Sequence, residues 1–251
     1  MSEPLVKSVT ENRVASVTLN RPDALNAFTP ELLKALIIAI EKAEREARVI
    51  VLAGAGRAFS AGVDLKLLQG STFEEGKVDG VFDNLSITAI DAVRQSAVPV
   101  IAKVHGYCFT GALELALQAD FIFTTQGAKF GDTHAKWGLR PSWGMSQNLA
   151  RAVGVRKARE LSFTAKTFTG AEAERWGLAN AAFDDKETLD AETAACAAAI
   201  AEASPGAIAA YKDLYRLAEE NPALEDALAE EQRRDYPQIT DTMERLKGFA
   251  S

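Results

Sequence analysis

The segment Arg48-Val49-Ile50-Val51-Leu52-Ala53 is a short unbroken apolar run, stopped by Gly54-Ala55-Gly56. An apolar run without polar alternation is the signature of a strand buried on both faces, and such strands sit in sheets covered by helices. Further strands are expected at 13–20, at 98–104 with Pro99 near the start, and at 121–124. Helix signals lie between them. Thr29-Pro30 combines an N-cap residue with proline at the first helical position, and Leu33, Leu36, Ile37 and Ile40 follow at helical spacing. Residues 87–96 and 112–117 also read as helices, 106–111 as a turn, and 67–84 as mobile loop with room for one helix. From Trp143 the chain reads as almost wholly helical, with breaks near Gly154, Gly170, Gly177, Pro205 and Pro222. Strands confined to the first half and helices filling the last third imply an α/β core with a helical C-terminal extension.

Composition narrows the function. The 251 residues carry 28 Lys and Arg against 35 Asp and Glu, a net charge of −7. A net-acidic chain without a basic stretch is a poor phosphate-backbone binder, which puts nucleic acid low as a partner, although a small anionic ligand needs only a few local cations. Cys108 and Cys196 form no CxxC or Cys/His cluster, and the two histidines, His105 and His134, do not suggest a metal centre. No basic segment followed by an apolar one opens the chain, and no run has the length of a membrane helix. The expectation is a cytoplasmic, soluble protein with no membrane partner.

Three stretches combine glycine with polar residues beyond what core packing needs: 57–66, 105–116 and 130–139. In the second, Gly106 through Gly111 feeds directly into a helix, whose first N–H groups lack intrahelical partners and suit a phosphate or a developing oxyanion. Glu114, three residues after Gly111, projects from the same helix face. A carboxylate beside a polarised carbonyl is what enolate chemistry requires. Taken alone, the same residues read more simply as a strand–helix turn followed by a first-turn helix carboxylate.

Together the stretches resemble the crotonase (enoyl-CoA hydratase/isomerase) superfamily over nearly the whole chain. Asn20-Arg21-Pro22-Asp23-Ala24-Leu25-Asn26-Ala27 is similar to the family's NRP…LNA signature, and Ala58-Phe59-Ser60-Ala61-Gly62-Val63-Asp64 to its AFSAGxD turn. The block from Pro99 to Asp120, the turn Arg140-Pro141-Ser142-Trp143-Gly144, and the block from Thr169 to Asn180 follow in register. The resemblance implies a spiral of repeated ββα units at 1–190 holding the active site, and a helical region at 191–251 used in trimer contacts. It also implies a homotrimer or a hexamer built from two trimers.

By the same resemblance the substrate is an acyl-CoA thioester, with coenzyme A arriving as part of the substrate and no other cofactor or metal. The amides of Val63 and Gly111 match the oxyanion hole. Ala61, Asp64 and Leu65 match positions lining the CoA adenine pocket, and Lys66 falls where a cation often meets the CoA phosphates, or is a solvated surface lysine. The family's C-terminal aromatic and lysine have no clean match in the tail, which contains Lys247 and Phe249.

Hydratases of this family resemble one another in flanking a water with two glutamates. Glu114 matches the first and is expected as the principal acid–base residue, but the second falls on His134. Imidazole suits proton transfer near neutral pH, so His134 is either the partner of Glu114 in hydrating a 2-enoyl-CoA or a structural residue. Asp132 either orients it or caps the following turn. The alternatives are another enolate reaction, such as thioester hydrolysis or carbon–carbon cleavage, or non-catalytic acyl-CoA binding. Simple isomerisation is disfavoured by loss of the second glutamate. His105 and Cys108 read as structural, and Phe82, Trp137 and Trp143 as core or acyl-pocket residues. The acyl group is not legible, because 67–85 has no recognisable pattern.

Overall fold

A computed structural model describes residues 3–78, 80–220 and 223–247. The apolar run becomes β3 (Val49–Gly54), every residue of which is buried. Around it lie β1 (Val6–Glu11), β2 (Val14–Leu19), β6 (Val100–Val104), β8 (Phe121–Thr125) and β11 (Ala181–Phe183), forming one sheet in the order β1-β2-β3-β6-β8-β11. Only the β1–β2 pair is antiparallel; the other pairings are parallel. Parallel neighbours require crossovers. Here these include α1 (Pro30–Glu46), the short α2 (Leu65–Gln69), the hairpin of β4 (Phe73–Glu74) and β5 (Lys77–Val78), α3 (Gly80–Arg94) and α4 (Gly111–Ala116).

A second, smaller sheet gives the fold its spiral character. β7 (Tyr107–Phe109) follows β6, and β9 (Lys129–Gly131) follows β8, so each pass places one strand in the large sheet and a short one in the small sheet. The small sheet is completed by β10 (Phe168–Thr169), after α5 (Met145–Val153) and α6 (Val155–Thr164). The chain ends in α7 (Gly170–Arg175), α8 (Lys186–Glu202), α9 (Pro205–Glu220), α10 (Leu224–Arg233) and α11 (Thr242–Lys247).

Most elements follow the expected signals. The Thr29 hydroxyl accepts from the Leu32 N–H at 3.3 Å, and Leu33, Leu36 and Ile40 are buried, while Ile37 is only half-buried. Four readings change. Strands are not confined to the first half, because β10 and β11 pair with β9 and β8. Ala181-Ala182-Phe183 has little β-propensity of its own; tertiary pairing makes it a strand. Residues 106–111, expected as a turn, contain β7. Residues 67–84 hold part of α2, the β4–β5 hairpin and the first turn of α3 rather than mainly loop. The division at 190/191 falls inside α8, whose Leu189, Thr193, Ala197 and Ala201 are buried. Ala197 and Ala201 pack with Val49, Val51 and Ile101 of the large sheet. That helix therefore belongs to the core on both sides of the division. Lys247 is exposed and Phe249 lies outside the described residues. Among the described residues, no single helix is long and apolar enough to cross a membrane.

Candidate active site

The motif stretches meet because two backbone crossings bring them together. Gly106 (φ +65°) sits where a Cβ would come within 1.9 Å of the Arg57 carbonyl. With no side chain there, Phe59 N–H reaches His105 O at 2.8 Å and Ser60 N–H reaches Tyr107 O at 3.0 Å. Asn26, fully buried in a left-handed conformation, donates to the carbonyls of Ala55, Ala58 and Phe59. The Ser60 hydroxyl donates to Asn26 O at 2.8 Å and accepts from Gly62 N–H. The asparagine and serine of the two N-terminal motifs thus shape the 55–62 loop, supplying the buried polar partners its backbone needs.

This loop aims Val63. Phe28 takes the Gly62 carbonyl and offers its own carbonyl to Asp64 N–H, so the intervening Val63 N–H points away from that pairing. It meets no acceptor among the described residues, and neither does the N–H of Gly111, the first residue of α4. A Cβ at Gly62 (φ +88°) would lie 3.5 Å from Gly111 N and 2.5 Å from Phe109 O, which shows how closely the two segments approach. Both Val63 and Gly111 line one pocket of about 380 Å³.

The titratable groups complete the site. Thr110 ties α4 to the loop after β9: its N–H donates to Gly131 O at 2.8 Å and its hydroxyl lies 2.5 Å from that of Thr133. His134, on that loop, lines the pocket. Its Nδ1 is 2.7 Å from Asp132 Oδ1, and its backbone N–H donates to the same oxygen at 3.2 Å. Asp132 therefore both orients the ring and closes the local turn. Nε2 faces Glu114 Oε2 at 3.7 Å. Glu114 Oε1 accepts from the N–H groups of Trp143 and Met145, at 3.2 and 3.1 Å, whereas the buried Oε2 has no hydrogen-bond partner.

Burial sets the protonation of this chain of groups. It pushes the Glu114 carboxyl up to about 7, against the opposing pull of His134 and the two N–H donors. Burial also works against the charged form of His134, but the Asp132 hydrogen bond and the Glu114 charge overcome it, so the imidazole lies above its ordinary value. Burial pushes the Asp132 carboxyl up, but the hydrogen bonds from His134 and the Ser162 hydroxyl outweigh it and hold it below its usual range. One carboxylate is kept charged, one is poised near neutrality, and the imidazole lies between them.

The remaining expected residues divide. Ala61 and Leu65 line the pocket. Asp64 caps α2 through Lys66 N–H at 3.0 Å and pairs with Arg21 at 2.7 Å, which spends its side chain on structure. Lys66 is exposed and outside the pocket lining, whereas Lys136 and Arg140 are within it. Nothing in the sequence marks these two cations, because they stand outside the matched CoA turn. Glu114 does not itself form the pocket wall; it is fully buried and reaches the pocket along His134. His105 is buried, with Nε2 at 2.9 Å from Gly56 O, and Cys108 is fully buried. Trp137 and Trp143 line the pocket, and Phe82 packs on Trp143 with ring centroids 5.9 Å apart. Asp83, buried beneath Trp143, gave no sequence signal because its partners are distant in the chain.

The chain is similar to known proteins along most of its length. Residues 9–251 match the Enoyl-CoA hydratase/isomerase family. A probable enoyl-CoA hydratase of Rhizobium meliloti is 36% identical over 247 residues, covering 96% of this chain and 92% of that protein. A short-chain-enoyl-CoA hydratase of Clostridium acetobutylicum is 31% identical, covering 72% of this chain and 69% of that one. The crystal structure of an enoyl-CoA hydratase from Bacillus anthracis superposes with a TM-score of 0.88 at 28% identity, covering 98% of this chain and 95% of that one. With the motif blocks, the two-sheet spiral and this match in agreement, the chain belongs to the enoyl-CoA hydratase/isomerase family.

Proposed function

We propose that the protein is a lyase that adds water across the double bond of a 2-enoyl-CoA thioester. One observation carries the reading. A single pocket holds two backbone N–H groups without acceptors, at Val63 and Gly111, together with the His134 ring backed by Asp132 and Glu114. The thioester carbonyl sits on the two N–H groups, which stabilise the negative charge that develops as the double bond is attacked. With Nδ1–H donated to Asp132, the neutral imidazole presents the Nε2 lone pair to a water. Nε2 takes the water proton as the oxygen bonds to C3, and the electron pair of the double bond moves onto the thioester as an enolate. The imidazolium, held between Asp132 and Glu114, then returns the proton to C2. Water has added in full and the site is regenerated.

His134 thus does work the family pattern gives to a second glutamate, and Glu114 acts as its buried charge partner. Lys136 and Arg140, with Ala61 and Leu65, are the groups placed to meet the CoA portion. Exposed apolar residues on the C-terminal helices, including Tyr211, Tyr215 and Leu224, support their use in subunit contacts of a trimer or hexamer, which sedimentation velocity tests. A cytoplasmic location is part of the same proposal.

The test is loss of enoyl-thioester absorbance on mixing with crotonyl-CoA, compared between the wild type and Glu114→Gln. Turnover to the 3-hydroxyacyl-CoA that falls sharply in the variant supports the reading. Release of free CoA instead, or tight binding without turnover, replaces hydration by thioester hydrolysis or by pure binding.

A further inference from the structure

We propose that Trp143 is the end wall of the acyl pocket and restricts the protein to short acyl chains. This rests on the acyl-CoA reading of the site and adds the substrate's size class. The indole lies directly against the oxyanion segment: a Cβ built on Gly111 would come within 2.5 Å of the ring. An acyl chain whose carbonyl sits on the Gly111 N–H therefore meets this ring within a few bonds. The pocket it closes, about 380 Å³, is near the lower end for ligand sites and must also admit the thioester arm.

Trp143 is itself a buried member of the main hydrophobic core, yet more than one open space borders it. A second cavity of about 230 Å³ is lined by Trp143 and Ser142 together with Ile87, Ile90, Asp91 and Arg94. Trp143 and Ser142 line both this cavity and the first. The second cavity shares Arg94, Gln118, Gly144 and Asn148 with a larger one of about 980 Å³, which is the space we infer a longer chain would reach once the indole is shortened.

The wall is also fastened. The indole N–H donates to the buried Asp83 carboxylate at 2.5 Å, and the Ser142 hydroxyl donates to the same oxygen at 2.7 Å. Phe82 packs on the ring from the same helix as Asp83. A buried charge-assisted hydrogen bond holds one rotamer far better than apolar packing alone. Asp83 is the positioning residue for the wall, and Trp143 is the specificity-determining one.

The experiment compares wild type, Trp143→Ala, Trp143→Leu and the refilled double variant Trp143→Ala/Ile87→Trp. Two readouts are taken on each folded protein: kcat/KM for trans-2-butenoyl-, octenoyl- and dodecenoyl-CoA, and Kd for the corresponding saturated acyl-CoAs. The wild type is expected to lose at least about tenfold in both between the butenoyl and octenoyl lengths. The single variants should recover most of that loss for the longer chains, and the double variant should restore the limit. A wild type that handles dodecenoyl-CoA as well as butenoyl-CoA overturns the proposal, as does an unchanged length profile in the single variants. Length-limited binding that is relieved in the variants, with no hydration of any thioester, upholds the wall and overturns only the hydratase reading.

Discussion

The backbone half and the side-chain half of the site are built from different materials. In the Val63–Gly111 half the functional groups are backbone N–H groups, aimed by Asn26, Ser60 and close backbone crossings at Gly62 and Gly106. In the other half they are three titratable side chains, Asp132, His134 and Glu114, set by burial and by one another. Backbone donors have no protonation state to lose near neutral pH, and they tolerate side-chain change while depending strictly on backbone path. The side-chain chain has the opposite sensitivities. The comparison teaches where each kind of mutation should hurt.

The sharpest test of the side-chain half is His134→Ala. Loss of a proton carrier costs on the order of 10²–10⁴ in kcat, and leaving the buried Asp132 without its imidazole partner should lower Tm as well. Crotonyl-CoA hydration followed by absorbance, with thermal melting alongside, measures both; retention of full activity would make His134 a bystander.

Next is Gly62→Ala on the backbone half. The new Cβ would meet Phe109 O at 2.5 Å with φ at +88°, forcing Val63 off its line. Turnover should drop roughly 10²–10³, the cost of losing one oxyanion donor, together with a measurable fall in Tm. Unchanged kinetics would mean that the Val63 N–H is not used.

The pH dependence of stability separates the two halves in another way. Glu114 has its pKa raised by burial from 4.5 to about 7, so between those values the folded state holds more protons than the unfolded one. Stability therefore falls as pH rises through that window. His134, also raised, contributes stability that is complete below its unfolded pKa of about 6.5 and is lost as pH rises through the higher folded value. Asp132, lowered, works in the opposite direction and only under acid conditions. Glu114→Gln should keep the bonds from Trp143 and Met145 but flatten the decline, gaining on the order of 1–3 kcal/mol over the wild type at pH 8 relative to pH 5. Denaturant melts at the two pH values decide it; parallel curves would show that Glu114 titrates normally.

The smallest effect is the most telling about the backbone half. Val63→Ala leaves the N–H in place, so kcat/KM for crotonyl-CoA should stay within about threefold of wild type, the span of a surface-like change. A loss as large as that of Gly62→Ala would mean that the Val63 side chain, not its amide, matters.

Much of this was legible in the residues. The apolar run at 49–54, the Thr29-Pro30 helix start and the glycine turns gave the α/β core, because local propensity and periodicity agree with the final fold there. Val63, Gly111, Glu114 and His134 were singled out by block order, and the structure brings them to one place. What was missed depends on partners far apart in sequence. β11 exists through pairing with β8, and Asp83 acquires a role only through Ser142 and Trp143. Lys136 and Arg140 join the pocket because the loop after β9 folds across it.

The sequence by itself determined the elements, the turns that need glycine, and the list of groups able to do chemistry, since these follow from each residue's own backbone and side-chain properties. Tertiary structure alone decided that Glu114 stands behind His134 rather than beside it, that its carboxyl is poised near 7, and that one indole lines two cavities. Burial and neighbouring charge belong to the assembled fold, and no residue carries either of them alone.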